Sequence, residues 1–421
     1  MKDLRYDAAV IGAGAAGMAA ALELDAAGFS TALIDREDHL GGILMQCIHN
    51  GFGLHEFSEE LTGPEFAGRL IERIAASQTA VYLNATVRSI SQGERKELFC
   101  VSPQGALRIS ARAVVLAMGC RERNRGNVRI PGSRPAGVYT AGLAQRLVNI
   151  EGYIPGKEIV IIGSGDIGLI MARRMSWVGC AVKAVVEIMP YPAGLTRNIV
   201  QCLRDFSIPL YLSSHTTNIF GNDRVEGVEV TPMENGALVP DKRFRIGCDT
   251  VLLSVGLVPE NELSKDAGVE LNGTTGGPLV DASLMTSQDG IFACGNVLHV
   301  HDLADWVVEE SRRAGRYAAE WLRGAGAEAQ IRVKAGSNVR YVNPGKLSPR
   351  RENQVYLRSL IVKNGAVLEL RLDNRVIRRV KMNHVQPSEM ISLSLGPKDF
   401  EADGVSQAAP GPDSVLEFSL L

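Results

Sequence analysis

YDAAVIGAGAAGMAAALELDAAGFSTALIDRE, residues 6–37, and KEIVIIGSGDIGLIMARRMSWVGCAVKAVVEI, residues 157–188, follow one grammar. Each opens with a short apolar run, passes through GxGxxG, continues with small and apolar residues at helical spacing, turns at a glycine, and ends a second apolar run on an acid. This is a βαβ unit with a dinucleotide fingerprint, present twice. Gly12 and Gly163 permit the tight strand-to-helix turn. Gly14 and Gly165 carry no side chain, so a pyrophosphate can approach the backbone. Gly17 and Gly168 let helix and strand pack closely. Ala15 and Ala16 in the first copy, and Asp166 and Ile167 in the second, open the helix whose free N–H groups and positive dipole end face the phosphates. Asp35 and Glu187 end the second strands, where a carboxylate accepts hydrogen bonds from ribose hydroxyls; Arg36 follows the first. A carboxylate at 187 suits a 2′-hydroxyl and repels a 2′-phosphate, which favours NAD over NADP. Arg197 downstream weakens that preference only slightly.

Working outward, the 421 residues exceed what one hydrophobic core usually organises, so two or three domains are expected. A formal charge of −2 gives no electrostatic reason to expect nucleic acid or an anionic membrane as partner. Lys2 and Arg5 before an apolar run imitate a signal peptide, but glycines at dinucleotide spacing interrupt the run. No apolar stretch is long enough to span a bilayer. The seven cysteines, at 47, 100, 120, 180, 202, 248 and 294, form no CxxC and no zinc-ligand spacing. Reduced thiols and a cytoplasmic location are expected. No metal site is expected either: HVHDL places His299 and His301 two apart beside Asp302, without a third grouped ligand.

Three further strands end on glycine. ARAVVLAMGCRERNRGNVRIPG (111–132) turns at Ala117-Met118-Gly119, CDTVLLSVGLVPENEL (248–263) turns at Gly256, and IFACGNVLHV turns at Gly295-Asn296. As a set, over roughly residues 5–325, these motifs resemble the two-dinucleotide-binding-domain flavoproteins, the superfamily of thioredoxin reductase and lipoamide dehydrogenase. The resemblance implies an α/β fold of two Rossmann-like domains. An FAD-binding domain would be made of residues 1–135 and 275–328, an NAD-binding domain of 136–274 would be inserted in it, and a small β-rich domain would cover 329–421. It also implies that Asp35 holds the adenosine ribose, that the backbone of Val87 meets adenine, and that the Ala117-Met118-Gly119 turn closes over the flavin nucleotide; Gly42 would give close backbone approach to the flavin. Gly295-Asn296 would meet the ribityl chain, with Asn in place of the usual Asp.

GVYTAGLAQ (137–145), GGILMQCIHNGFGLHEFSEELTGPEFA (41–67) and ACGNVLHVHDL (293–303) are similar, more narrowly, to NAD/FAD subunits found with glycerol-3-phosphate or 2-hydroxyacid dehydrogenases. They are similar also to α-subunits of proline dehydrogenase, opine oxidase and hydrogen cyanide synthase complexes. This implies a partner FAD-dependent dehydrogenase subunit, with a small cysteine-containing subunit beside it.

Dithiol chemistry needs an attacking thiolate and a second cysteine to resolve the mixed disulfide. Cys47 has none near it in sequence. Three readings of Cys47 stand: a small packing residue near the flavin, a flavin-tuning or relay residue, and a catalytic thiol. His49, His299 and His301 are candidates for proton donation near the flavin, against the alternative of hydrogen-bonded structural histidines. Two further readings of the whole chain stay open, a self-contained NADH-dependent reductase using Cys47 and a flavoprotein scaffold without turnover. After WLRGAGAEAQ (321–330), short alternating segments bounded by Asn-Gly, Asp-Asn and Pro-Gly read as strands. VLELRLDNRVIRRVKM forms a hairpin about Asp373-Asn374, RRENQ and RVIRRVK are solvated faces, and EADGVSQAAPGPDS is a terminal loop.

Overall fold

The computed structural model describes residues 1–326, 328–401 and 411–421. It divides into two compact units, Met1–Cys120 with Pro259–Leu421, and Arg121–Val258. In the first unit, strand Lys2–Ile11 pairs in parallel with Thr31–Ile34 on one side and with the long strand Gly105–Leu116 on the other. Ala80–Tyr82 extends one edge and Ile291–Ala293 joins Gly105–Leu116, both in parallel. The carboxyl ends of these strands therefore lie along one edge of a seven-stranded sheet. The antiparallel strands Thr86–Ser91 and Lys96–Ser102 complete it. Ala8, Ala9, Val10, Leu33, Ile34, Val114 and Val115 are wholly buried, as near-continuous apolar runs in a parallel sheet covered on both faces should be.

The first fingerprint helix, Ala15–Ala26, is alanine-rich because the long helix Ala304–Leu322 lies tightly on it. Gly315 makes that approach possible: a β-carbon there would stand 2.6 Å from the Ala20 carbonyl oxygen and 2.8 Å from Glu23 Cβ. The same long helix carries Asp305, whose buried carboxylate accepts the backbone N–H groups of Gly53, His55 and Glu56. These bonds tie down the glycine-framed loop that follows the first βαβ unit.

The second unit repeats the plan. Its parallel sheet runs Val138–Thr140, Thr250–Leu253, Glu158–Ile162, Ala181–Val186, Leu210–Tyr211. An antiparallel sheet built on Ser214–Phe220 and Gly227–Glu234 joins it through the core of Val160, Ile219, Val228 and Val251. This compact unit runs Arg121–Val258, where the expected NAD-binding domain was 136–274. The basic run enters this unit because Arg125 donates to the carbonyls of Ile130, Pro131 and Ser133, and Arg123 N–H donates to Gly256 O. Residues after Val258 return to the first unit: Glu260 N–H donates to Gly119 O, Asn261 Nδ2 to Val297 O, and Gln92 Nε2 to Ala267 O.

The C-terminal strands have a core of their own, including Ile331, Leu347, Val355, Leu357, Leu368, Leu370 and Phe418. Lys363–Leu372 and Arg375–Val385 form the expected hairpin, with Asp373 and Asn374 both at positive φ (47° and 70°). One strand was not expected. Val415–Leu420 lies inside the five-stranded sheet between Ile331–Ala335 and Lys363–Leu372. Residues 402–410 of the expected terminal loop lie outside the described residues.

Gly315→Ala weighs two opposed terms. Helix propensity favours alanine by about 1 kcal/mol, while overpacking against a backbone carbonyl costs about 1–3 kcal/mol. A lower denaturation midpoint is therefore expected; a raised midpoint would show that the two helices separate freely.

Candidate functional site

Both fingerprints are closed by their own acid, in the same way. Asp35 Oδ2 accepts the N–H of Ala13 and Oδ1 that of Glu37 (2.9 Å). Glu187 Oε2 accepts the N–H of Ser164 (2.8 Å) and its hydroxyl (2.6 Å), and Oε1 accepts Met189 N–H (2.9 Å). In each copy the residue after the first glycine and the residue two beyond the acid supply the donors. Glu187 is only 4% exposed. Parallel backbone bonds complete the turns, from Gly12 N–H to Ile34 O and from Gly163 N–H to Val186 O.

The glycines have measurable reasons. Gly12 has φ +101°, and a β-carbon there would lie 2.4 Å from the Ala117 carbonyl oxygen; Gly163 has φ +92° and stands 2.0 Å from Ser254 O by the same construction. At Gly17 and Gly168 a β-carbon would meet Gly12 O at 1.7 Å and Ser254 Cβ at 2.7 Å. At Gly14 nothing lies within 4 Å, which leaves the helix start open. That helix has no side-chain cap and no acid in its first turn, so its free N–H groups suit an anion.

A cavity of about 430 Å³ opens at the carboxyl ends of the first sheet, lined by Gly12, Asp35, Arg36, Val87 and Met118 among others. Gly42 closes on the same place, since a β-carbon on it would stand 3.1 Å from Gly14 Cα. An open, uncapped helix start, a strand-end carboxylate and a cavity between them fit the pyrophosphate and adenosine of a dinucleotide such as FAD. Gly119 (φ +73°) has open space beside it. In the second unit Gly165 meets only Ser254, its Oγ at 3.4 Å and its carbonyl oxygen at 3.8 Å, and Gly256 only Arg123, at 3.8 Å. Asp166 is placed differently from expectation: its Oδ1 accepts Leu195 N–H (2.8 Å) and Asn198 Nδ2 (2.6 Å), so it anchors the Thr196–Cys202 helix. Ile167, beside it, packs against that unit's core.

The candidate proton and electron groups fall in two places. Cys47 ends the 3₁₀ turn Gly42–Gln46 and packs against Gly63 at the start of helix Gly63–Ala75; its thiol donates to Ile43 O (3.3 Å). Burial pushes that thiol up to about 12. No disulfide joins any of the seven cysteines. Half-buried His49 has Nδ1 3.0 Å from Asn50 O and its ring 5.1 Å from Phe52. His299 and His301 line no open surface. Their side chains are buried with Glu310, at 2.9 Å and 3.1 Å from its two oxygens. Glu310 corrects the expectation that HVHDL has no third grouped partner: the three side chains bring ligand-type atoms within 4.8 Å of one another.

Ser164, Ser254 and Glu310 were not singled out in the sequence. Ser254 Oγ accepts Gly168 N–H (3.0 Å), fixing the second helix to its neighbouring strand end. For Glu310 the only signal was a carboxylate on the mostly apolar buried face of an amphipathic helix.

Two βαβ units, each with a glycine turn, a helix start and a stapling carboxylate, define a protein built to hold two dinucleotides. Residues 6–320 match the family model of pyridine nucleotide-disulphide oxidoreductases, and the chain belongs to that family, whose members bind FAD and use a pyridine nucleotide. It is 28% identical over 319 residues to an opine oxidase subunit of Agrobacterium tumefaciens (strain Ach5), covering 69% of this chain and 61% of that one. It is 26% identical over 370 residues to the glutamate synthase [NADPH] small chain of Azospirillum brasilense, covering 79% and 70%. The chain thus spans less than two thirds of the opine oxidase protein. Thioredoxin reductase of T. acidophilum shares the fold, with a TM-score of 0.63 at 24% identity over 75% of this chain and 98% of that one. No helix among the described residues is long and apolar enough to cross a membrane.

Gly12→Ala is expected to yield protein without flavin, because the new methyl meets backbone rather than a yielding side chain; retention of wild-type flavin would contradict this geometry. For Cys47, only the thiolate is nucleophilic. A thiol held near 12 should be alkylated far more slowly at pH 8 than the same peptide in unfolded protein. Its rate should rise about tenfold per pH unit well past pH 9. Peptide-resolved labelling reads this directly.

Proposed function

We propose that this protein passes electrons between NAD(H) and a partner dehydrogenase subunit, one that oxidises glycerol 3-phosphate or a related hydroxy compound. The observation that carries the reading is the pair of complete, acid-stapled fingerprints combined with a lone cysteine whose thiol is held protonated. Two dinucleotide sites supply a route for electrons, while the sequence has no CxxC and places no cysteine near Cys47 to resolve a mixed disulfide. The similar opine oxidase protein is named as one subunit, the glutamate synthase protein as a small chain, which supports a role within a complex.

FAD, when bound, supplies hydride and single-electron chemistry that no side chain here possesses. The residues of this chain bind and orient. In the first unit Gly12, Gly14 and the start of helix Ala15–Ala26 receive the pyrophosphate of FAD, and Asp35 holds the turn and meets the ribose. In the second unit Gly163, Gly165 and Glu187 do the same for NAD. A 2′-phosphate brought to Glu187 would set two anions together in a buried site, so NAD is the preferred nucleotide.

Two measurements follow. The purified, flavin-loaded chain should reduce an artificial acceptor with NADH at a kcat/KM at least about tenfold above that with NADPH, a difference of about 1.4 kcal/mol. Cys47→Ser should change that value by less than about threefold, under ~1 kcal/mol of transition-state stabilisation. Turnover of a hydroxy-acid or glycerol 3-phosphate substrate should need a co-purified partner. Robust reduction of a disulfide by the chain alone, lost in Cys47→Ser, would overturn the reading.

A further inference from the structure

Glu310 is 0% exposed, in the interior of helix Ala304–Leu322, and its carboxylate receives three N–H groups. Oε1 accepts Gly295 N–H (2.7 Å) and lies 3.1 Å from His301 Nε2; Oε2 lies 2.9 Å from His299 Nε2. Gly295 begins the turn after strand Ile291–Ala293, at the carboxyl edge of the parallel sheet where the dinucleotide cavity opens. The turn abuts the fingerprint helix, since a β-carbon on Gly295 would stand 2.8 Å from Ala16 Cβ. The next residue is tied to the same cluster: Asn296 Oδ1 accepts His301 N–H (3.0 Å), and Asn296 Nδ2 reaches Cys120 Sγ at 3.6 Å.

The charge state follows from the partners. The Nδ1 atoms of His299 and His301 are buried and have no hydrogen-bond partner among the protein groups. Protonating His299 at Nδ1 would leave an N–H without an acceptor in a site closed by Tyr341 and Tyr356, whose rings lie 6.0 and 5.4 Å from it. Burial and the neighbouring His301 accordingly hold His299 down to about 4. Burial alone would raise Glu310, but its histidine partners outweigh that and hold its carboxyl well below the usual range. The neighbouring arginines are engaged elsewhere, Arg313 with Glu309 and Arg358 with Asp302. What remains is an ionised carboxylate held between the Nε2 atoms of two buried histidines.

A metal does not suit this arrangement. Zinc sites close with four ligands and hold the second nitrogen of each histidine in a hydrogen bond. Among the described residues only three groups converge, and both second nitrogens are without partners.

We propose that Glu310 is a positioning residue for the flavin: its buried carboxylate clamps the Gly295-Asn296 turn against the FAD site and keeps a fixed negative charge behind it, holding the flavin midpoint potential low. The proposal rests on the reading that FAD occupies the first fingerprint. Its electrostatic part follows from Coulomb repulsion at low dielectric, where a nearby anion disfavours adding electrons to the ring system. Asn296 is neutral, so the carboxylate that acts on this turn comes from the helix behind it.

The test uses flavin-loaded full-length protein, with potentials read by dye-equilibration titration. Glu310→Gln keeps the shape and removes the charge; it is expected to retain flavin and to shift the midpoint potential upward. Asn296→Asp in the same background returns a carboxylate to the turn and should bring the potential back toward wild type. Glu310→Ala strips the acceptor from three N–H groups and should weaken FAD binding about tenfold or more. Asn296→Asp alone, with Glu310 in place, should lower the potential below wild type, which keeps the idea testable where Glu310→Gln does not fold. Flavin held at an unchanged potential in Glu310→Gln, or in Asn296→Asp if Glu310→Gln does not fold, overturns the proposal. So does one equivalent of zinc or iron per wild-type chain that is lost in His299→Ala. Wild-type protein that binds no flavin would overturn the reading underneath, and the proposal with it.

Discussion

The carboxylate at the end of each second strand is the constraint on which the architecture depends. A strand that turns sharply into a helix leaves N–H groups with no partner, and burying them unpaired is costly. Asp35 and Glu187 solve this identically, each taking one N–H from the glycine turn and one from its own following loop. Because the acids are used this way, the first glycine can adopt its left-handed backbone, and the helix start is left uncapped and open. The ligand site is thus a by-product of how the turn satisfies its own backbone.

Much of this was legible beforehand because it is local. The two fingerprints, their strand-end acids, the apolar parallel strands and the Asp373-Asn374 hairpin each lie within a window where periodicity and turn chemistry act on neighbours. What was not legible is long-range. Glu310 and Gly295 are far enough apart that nothing links a helix carboxylate to a turn N–H until the sheet and helix close. Asp305 likewise holds a loop 250 residues earlier. The unit boundaries moved for a similar reason: Arg125 satisfies carbonyls that place the basic run with the second unit. Val415–Leu420 was missed because six residues after a turn-rich segment carry little pattern of their own; its place comes from strands on either side.

The lone cysteine and the histidines divide along the same line. Cys47, in a glycine-framed loop, has a thiol that burial keeps protonated and that donates to a backbone carbonyl. The histidine pair, which suggested proton donors or a metal from sequence, flanks a buried carboxylate instead. In both cases the residue type proposed a chemistry and the surroundings decided what the group touches.

Because the two staples are equivalent in form but lie in separate units, their removal should separate the two cofactors. Flavin content and NADH affinity, measured side by side in Asp35→Asn and Glu187→Gln, test this most directly. The account predicts that Asp35→Asn loses flavin, while Glu187→Gln keeps it and binds NADH at least about tenfold more weakly, as expected when charge-assisted hydrogen bonds are lost. Flavin lost equally from both, or NADH affinity indifferent to residue 187, would contradict it.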